Sequence, residues 1–335
     1  MSKIKTSFLF TLKINIFFWI MAEIFLPLRI FAQNNDSLIA VFHNEKHTVN
    51  ERLKAIASVN WGNYSNPPEK GIELIDKAIK MYESKRNLCF LADLYKGKVQ
   101  LLQIAGNKEE FDLTVSEAIS ISKKGECYVN LFNFYYLNSV SMFSYDNVDL
   151  QKKWLDSILN HPLIDSFPNK KALAYSGKAN LYFGKGEYRR TIPYLQKAII
   201  LQNSTGFYEG VCHEQMLMGI SYQNLGMMDS AYFWYYESLS TIQSHKITGS
   251  MGTVAYNLAY AYQQDSKSDS AIKYFVIAEQ KFSESGDLIG NSLVNQNLAQ
   301  IYYDNGNIEK AEKYYVKAIE GINKSSSDYY KARCN

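Results

Sequence analysis

Proline and glycine are scarce in this chain: 335 residues include six prolines and eighteen glycines. Turns draw on both residues, so that scarcity argues against a fold of many strands and tight turns. Cysteine is scarce too. Cys89, Cys127, Cys212 and Cys334 are scattered, and no CxxC pair exists to suggest a zinc ribbon or a thioredoxin-type centre. Buried or idle thiols are the simplest expectation for them. An exported chain could pair them instead, and the sequence does not choose among the pairings. No Gly-rich loop of the Walker type occurs, and no G-x-S-x-G elbow. No serine or cysteine has an identifiable base at a diagnostic spacing.

A surplus of charge is also missing. The whole chain carries +3. Residues 1–32 hold Lys3, Lys5, Lys13 and Arg29 against Glu23, so the remainder balances at 32 bases and 32 acids. A neutral body lacks the basic footprint that phosphate neutralisation requires, which argues against a nucleic-acid partner. Residues 1–32 differ from the rest in other ways. Lys3 and Lys5 precede an apolar stretch, Ile14 to Ala22, and Ile30-Phe31-Ala32 stands before the polar run Gln33-Asn34-Asn35-Asp36-Ser37. These are the parts of a secretory signal with cleavage after Ala32. Lys13, Glu23 and Arg29 leave less than the roughly 18 apolar residues of a spanning helix. The mature chain is therefore expected to be exported, periplasmic or at the cell surface, with no membrane span. An N-terminal anchor is the alternative.

What the chain has in excess is tyrosine, 26 residues of it. Aromatic knobs suit helices packed side by side, with a polar tip near water. The pattern of those tyrosines repeats. Asn257-Leu258-Ala259-Tyr260-Ala261-Tyr262 recurs as Asn297-Leu298-Ala299-Gln300-Ile301-Tyr302, 40 residues on. Each is followed by a small residue (Ala271, Ala311), an aromatic (Phe275, Tyr315) and another small one (Ala278, Ala318). Stepping back by 40 gives Gly219, Tyr222, Ala231, Tyr235 and Ser238, and then Ala179, Tyr182, Thr191, Leu195 and Ala198.

With Ala172 as position 1, small residues at 8, 20 and 27, an aromatic at 11 and a bulky residue at 24 resemble the tetratricopeptide repeat. Gly186, Gly226 and Gly306 fall at position 15, the turn between the two helices, and Ser266 does so in the remaining copy. The resemblance covers four firm copies over residues 172–323. Three weaker copies extend it over residues 44–171, where Gly62 and Met142 replace the aromatic and Phe111 and Gln151 replace the small residue at position 20. Residues 33–43 are a lead-in, and 324–335 read as an eighth first helix starting at Ser325-Ser326-Ser327-Asp328, or as a cap. Asp229-Ser230 and Asp269-Ser270 stand where second helices would be capped. The usual period of this family is 34. Six more residues lengthen each pair by about 9 Å, as in long-helix repeats of bacterial sensory and regulatory proteins.

The resemblance implies an all-α, right-handed solenoid of helix-turn-helix units, and a non-catalytic scaffold that holds a protein or peptide. It further implies that first helices line a concave groove through positions 2, 5, 9, 12 and 13. The expected contact residues are Asn180, Phe183, Gln223, Asn224, Tyr256, Tyr260, Gln263, Gln300 and Tyr303. Amides and aromatics of this kind suit a peptide held by backbone hydrogen bonds and stacking. They would equally serve to solvate an uncharged groove. No cofactor is expected. Two other functions compete with the peptide groove. One is a structural adaptor in envelope assembly that uses other surfaces. The other is a metal-dependent hydrolase at His43 and His47, which are four apart and could share a helix face. Asn44 stands where the zinc-protease order needs glutamate.

Overall fold

A computed structural model describes residues 28–64, 66–82, 87–141 and 147–334. Among them there is no strand, and fifteen α-helices follow in order. They are α1 (Leu28–His43), α2 (Val49–Ala57), α3 (Pro68–Met81), α4 (Leu88–Ala105), α5 (Lys108–Lys124), α6 (Tyr128–Val140), α7 (Val148–Leu159) and α8 (Pro168–Gly184). Then come α9 (Tyr188–Thr205), α10 (Tyr208–Asn224), α11 (Met228–Ser244), α12 (Met251–Gln264), α13 (Ser268–Ser285), α14 (Leu288–Asp304) and α15 (Ile308–Cys334). No described helix is long and apolar enough to cross a membrane. Most of the segment expected to be a secretory signal, up to Pro27, lies outside the described residues, and the expected cleavage point after Ala32 lies within α1. Two compact units divide between Lys170 and Lys171, in the first turn of α8.

Unit 2 is built of stacked pairs. α10 packs on α11, α12 on α13 and α14 on α15, and each second helix also packs on the next first helix. The cause lies at the recurring positions. Ala179, Ala198, Ala231, Ser238, Ala259, Ala271, Ala278 and Ala299 have no exposed surface, so backbones approach closely around Leu195, Tyr235 and Phe275, which have none either. Each such large side chain contributes about 1.5–3 kcal/mol by leaving water. Gly219 shows how tightly the positions are matched. It takes the place of alanine where position 24 is the larger Tyr235, and a Cβ there would meet the Tyr235 ring at 2.6 Å.

Helices stop where the backbone turns left-handed. Gly186, Gly226 and Gly306 do so with φ of 73°, 75° and 74°, and Ser266 accepts φ 56°. The same conformation recurs midway between them at Gly206, Lys246 and Gly286. Each 40-residue unit is thus two helix-and-stop halves of 20. The Asp-Ser pairs are not caps: α11 begins at Met228 and α13 at Ser268, which puts Asp229 and Asp269 inside the first turn. There they favour the positive end of the helix dipole without bonding a cap amide. α15 runs unbroken through Ser325–Asp328 to Cys334, where a fresh helix start was expected.

Unit 1 is irregular. Val59 and Gly62, the marks of the first weak copy, fall beyond the end of α2, and Gly62 lies in a short 3-10 turn, Trp61–Asn63. Met142 lies outside the described residues. Trp61 and Ile75 head one apolar cluster, and Val99, Phe111 and Phe134 a second. Glycines at 71 and 97 leave room for the indole. Lys98 on α4 reaches Asp76 on α3 at 2.8 Å and Glu110 on α5 at 3.0 Å. α2 starts with a capping box, in which the Glu51 amide donates to Thr48 Oγ1 and the Thr48 amide to Glu51 Oε2. Cys89 and Cys127 form a disulfide that ties the first turn of α4 to the residue ahead of α6. These two cysteines are therefore not idle thiols. Cys212, by contrast, is buried outside any disulfide.

Candidate functional site

Positions 2, 5, 9 and 12 of a helix are spaced by three, four and three, so they form one stripe. In unit 2 that stripe belongs to α8, α10, α12 and α14. Hydrogen bonds run along it from one first helix to the next. Gln223 on α10 donates to Gln264 on α12 at 2.7 Å. Asn257 on α12 reaches Met216 Sδ on α10 at 3.5 Å, and Asn297 on α14 reaches the Tyr256 hydroxyl on α12 at 3.3 Å. Tyr235, from the second helix α11, donates to Gln223 Oε1 at 2.6 Å. These contacts hold the face in a preset arrangement.

The expected contact residues behave differently from one another on this face. Tyr256 and Tyr260 lie parallel, with an interplanar angle of 4° and centroids 6.5 Å apart. Tyr256 also meets Phe275 edge-on. Burial pushes its phenol up to about 12, against a smaller lowering by Asn297, so it stays neutral. Asn224, Gln300 and Tyr303 are exposed, Tyr303 by 57%. Gln300 donates to Asp304 and accepts from Tyr315. Gln263 and Asn180 each bury a side-chain carbonyl oxygen that has no donor. Phe183 is turned inward. Only 5% of it is exposed, and it packs edge-on against Tyr188 at the turn.

A second aromatic series runs along the second helices. Position 23 is aromatic in all four firm copies (Tyr194, Trp234, Tyr274, Tyr314). In three of them it stacks on the position 11 tyrosine. Tyr182 and Tyr194, Tyr262 and Tyr274, and Tyr302 and Tyr314 lie 5.5–5.8 Å apart at 10–15°. Arg190 lies over Tyr182 and Lys310 over Tyr302, each placing a cation on a ring face. Tyr236 joins Tyr262 and Tyr274 through hydroxyl contacts of 2.7 and 3.1 Å. The recurrence at 40 was present in the sequence and marks this series as readily as position 11.

The two histidines do not share a helix face. α1 ends at His43, and His47 lies in the following turn, 3.7 Å from Glu51. Among the described residues no three His, Cys, Asp or Glu side chains cluster as a metal site would require.

Comparison with known proteins bears on the repeat. The tetratricopeptide-repeat family profile matches residues 294–320, which span α14 and the start of α15. No curated protein matches the chain. Among solved structures, the apo form of RapI is 13% identical with a TM-score of 0.54, covering 71% of this chain and 99% of its own. A Rap protein complexed with competence and sporulation factor is 15% identical with a TM-score of 0.56, covering 84% and 79%. A signal-transduction ATPase with a tetratricopeptide-repeat sensor, from Pyrococcus horikoshii, is 14% identical with a TM-score of 0.61, covering 88% of this chain and 48% of its own. At these identities the likeness is one of fold.

Proposed function

We propose that this tetratricopeptide-repeat protein is a non-catalytic scaffold whose first helices in unit 2 hold an extended peptide or a protein segment. The observation that carries this reading is the parallel pair of Tyr256 and Tyr260 on the first helix α12, with ring centroids 6.5 Å apart at 4°. They supply a preset stacking surface between them, and the Gln223–Gln264 bond lessens the ordering that binding requires. Replacing Tyr260 and Gln263 together by alanine removes the stack and one acceptor. Retention of the bound segment in a pull-down is then lost, while the thermal melt stays intact. Unchanged retention defeats the groove assignment and favours an adaptor that works through its second helices.

Export is the second part of the proposal, to the periplasm or cell surface. The Cys89–Cys127 disulfide supports it, since such bonds persist in oxidising compartments. A solved relative in fold carries its repeats as the sensor of a signalling protein. By analogy, this chain would serve as the sensory part of a signalling system. Fractionation that finds the protein only in the cytosol, with residues 1–32 still attached, would overturn the export reading.

A further inference from the structure

In the three earlier copies of unit 2, the next first helix packs over positions 24 and 31 of the second helix. Leu195, Tyr235 and Phe275 at position 24 have no exposed surface, and Ile242 and Phe282 at position 31 show 3% and 6%. The fit is close. A Cβ on Gly290, in the first turn of α14, would meet the Phe282 ring at 2.9 Å. α15 keeps the same register, and no described helix follows it. Tyr315 at position 24 is 36% exposed, and Ile319 and Ile322, at positions 28 and 31, are 58% and 51% exposed. These are side chains that the array elsewhere puts away from water.

Their spacing defines what fits there. Ile308, Glu312, Tyr315, Ile319 and Ile322 follow one another at steps of four, three, four and three. That is the seam of a two-helix pair. A second α15 turned end for end covers both open faces at once, so the assembly closes on itself. The charges favour that arrangement. In the antiparallel register that sets Ile319 against Tyr315 of the partner subunit, Lys313 comes beside Glu320 of the partner subunit, and the same pair recurs across the two-fold axis. A parallel pair would set like charge on like. Val316, 47% exposed, adds an apolar contact on the same flank. Glu312 stands where the earlier copies have Ile192, Tyr232 and Ile272. As the one charge in the seam, it weakens the contact without preventing it.

We propose that the open face of α15 is a self-association surface, on which a second copy of this chain lays its own α15 antiparallel to form a two-fold dimer. The face shares no residue with the first-helix stripe, so pairing and peptide binding stand or fall apart from each other.

Sedimentation equilibrium of the whole protein is the test. A monomer–dimer equilibrium with Kd on the order of 10 μM is expected for a small apolar contact. Ile319 is exposed, so Ile319→Lys should melt as the wild type does and stay monomeric. Glu312→Leu should tighten the dimer about tenfold. Lys313→Glu should weaken it several-fold at low salt, and Glu320→Lys added to that variant should restore it. A wild-type protein that is monomeric at about 200 μM overturns the proposal and leaves the face to a different partner. So does self-association that survives Ile319→Lys, or a double charge variant that pairs no better than Lys313→Glu alone.

Discussion

The two units reach stability by different routes. Unit 2 repeats one solution four times, with small residues at three positions, a large one between them and a left-handed stop every 20 residues, and adds an aromatic stack in three of the four copies. Unit 1 keeps the helix pairing but has lost much of the pattern. It makes up the difference with Trp61 set against two glycines, a three-helix ion bridge at Lys98 and the Cys89–Cys127 disulfide. Where recurring small residues let helices approach, stacking alone supplies the core. Where they are replaced, as at Phe111 and Gln151, specific cross-links take over.

The contrast can be broken from either side. The largest effect is expected from Phe275→Ala, which empties a ring with no exposed surface at the centre of the α12–α14 cluster. It should cost about 3–5 kcal/mol, and denaturant unfolding followed with probes in each unit should show the loss in unit 2. Cys89→Ser, or a reducing agent, should act in unit 1. Closing a 38-residue separation is worth about 3–4 kcal/mol in the chain-entropy account. A loss that appears in unit 2 instead would mean the disulfide does not replace lost repeat packing. The smallest effect is a gain. Ser266 is the one non-glycine at the turn between the helices of a pair in unit 2, held at φ 56°. Ser266→Gly should stabilise that unit by about 0.5–1 kcal/mol, once the greater freedom of glycine in the unfolded chain is set against the relieved strain.

These differences also explain how much could be read from the sequence. The 40-residue phase, the small positions and the turn glycines were legible because close packing restricts residue type at each of them. The second stop was not, because Lys246 occupies a left-handed position without being glycine. The Asp-Ser pairs misled because a short polar side chain is favoured both at a cap and in the first turn after it. The disulfide was illegible, since partners 38 residues apart meet only through the packing of α4 against α5 and α6. At the candidate site, the stripe of first-helix positions follows from helical periodicity, while the depth of each side chain does not: Tyr256 and Tyr260 pack against the apolar cluster, and the Phe183 ring, at the turn, is folded back onto Tyr188. Which amides are engaged and which are left without a donor depends on the neighbouring repeat, and a single stripe does not carry that information.

The central claim is that unit 2 binds its partner through its first helices. A photo-crosslinking side chain placed at Tyr260, on the first helix α12, tests it against the same group at Phe233, an exposed position of the second helix α11. The expected result is a covalent adduct with the partner segment from position 260 and none from position 233. An adduct from 233 with none from 260 would contradict it.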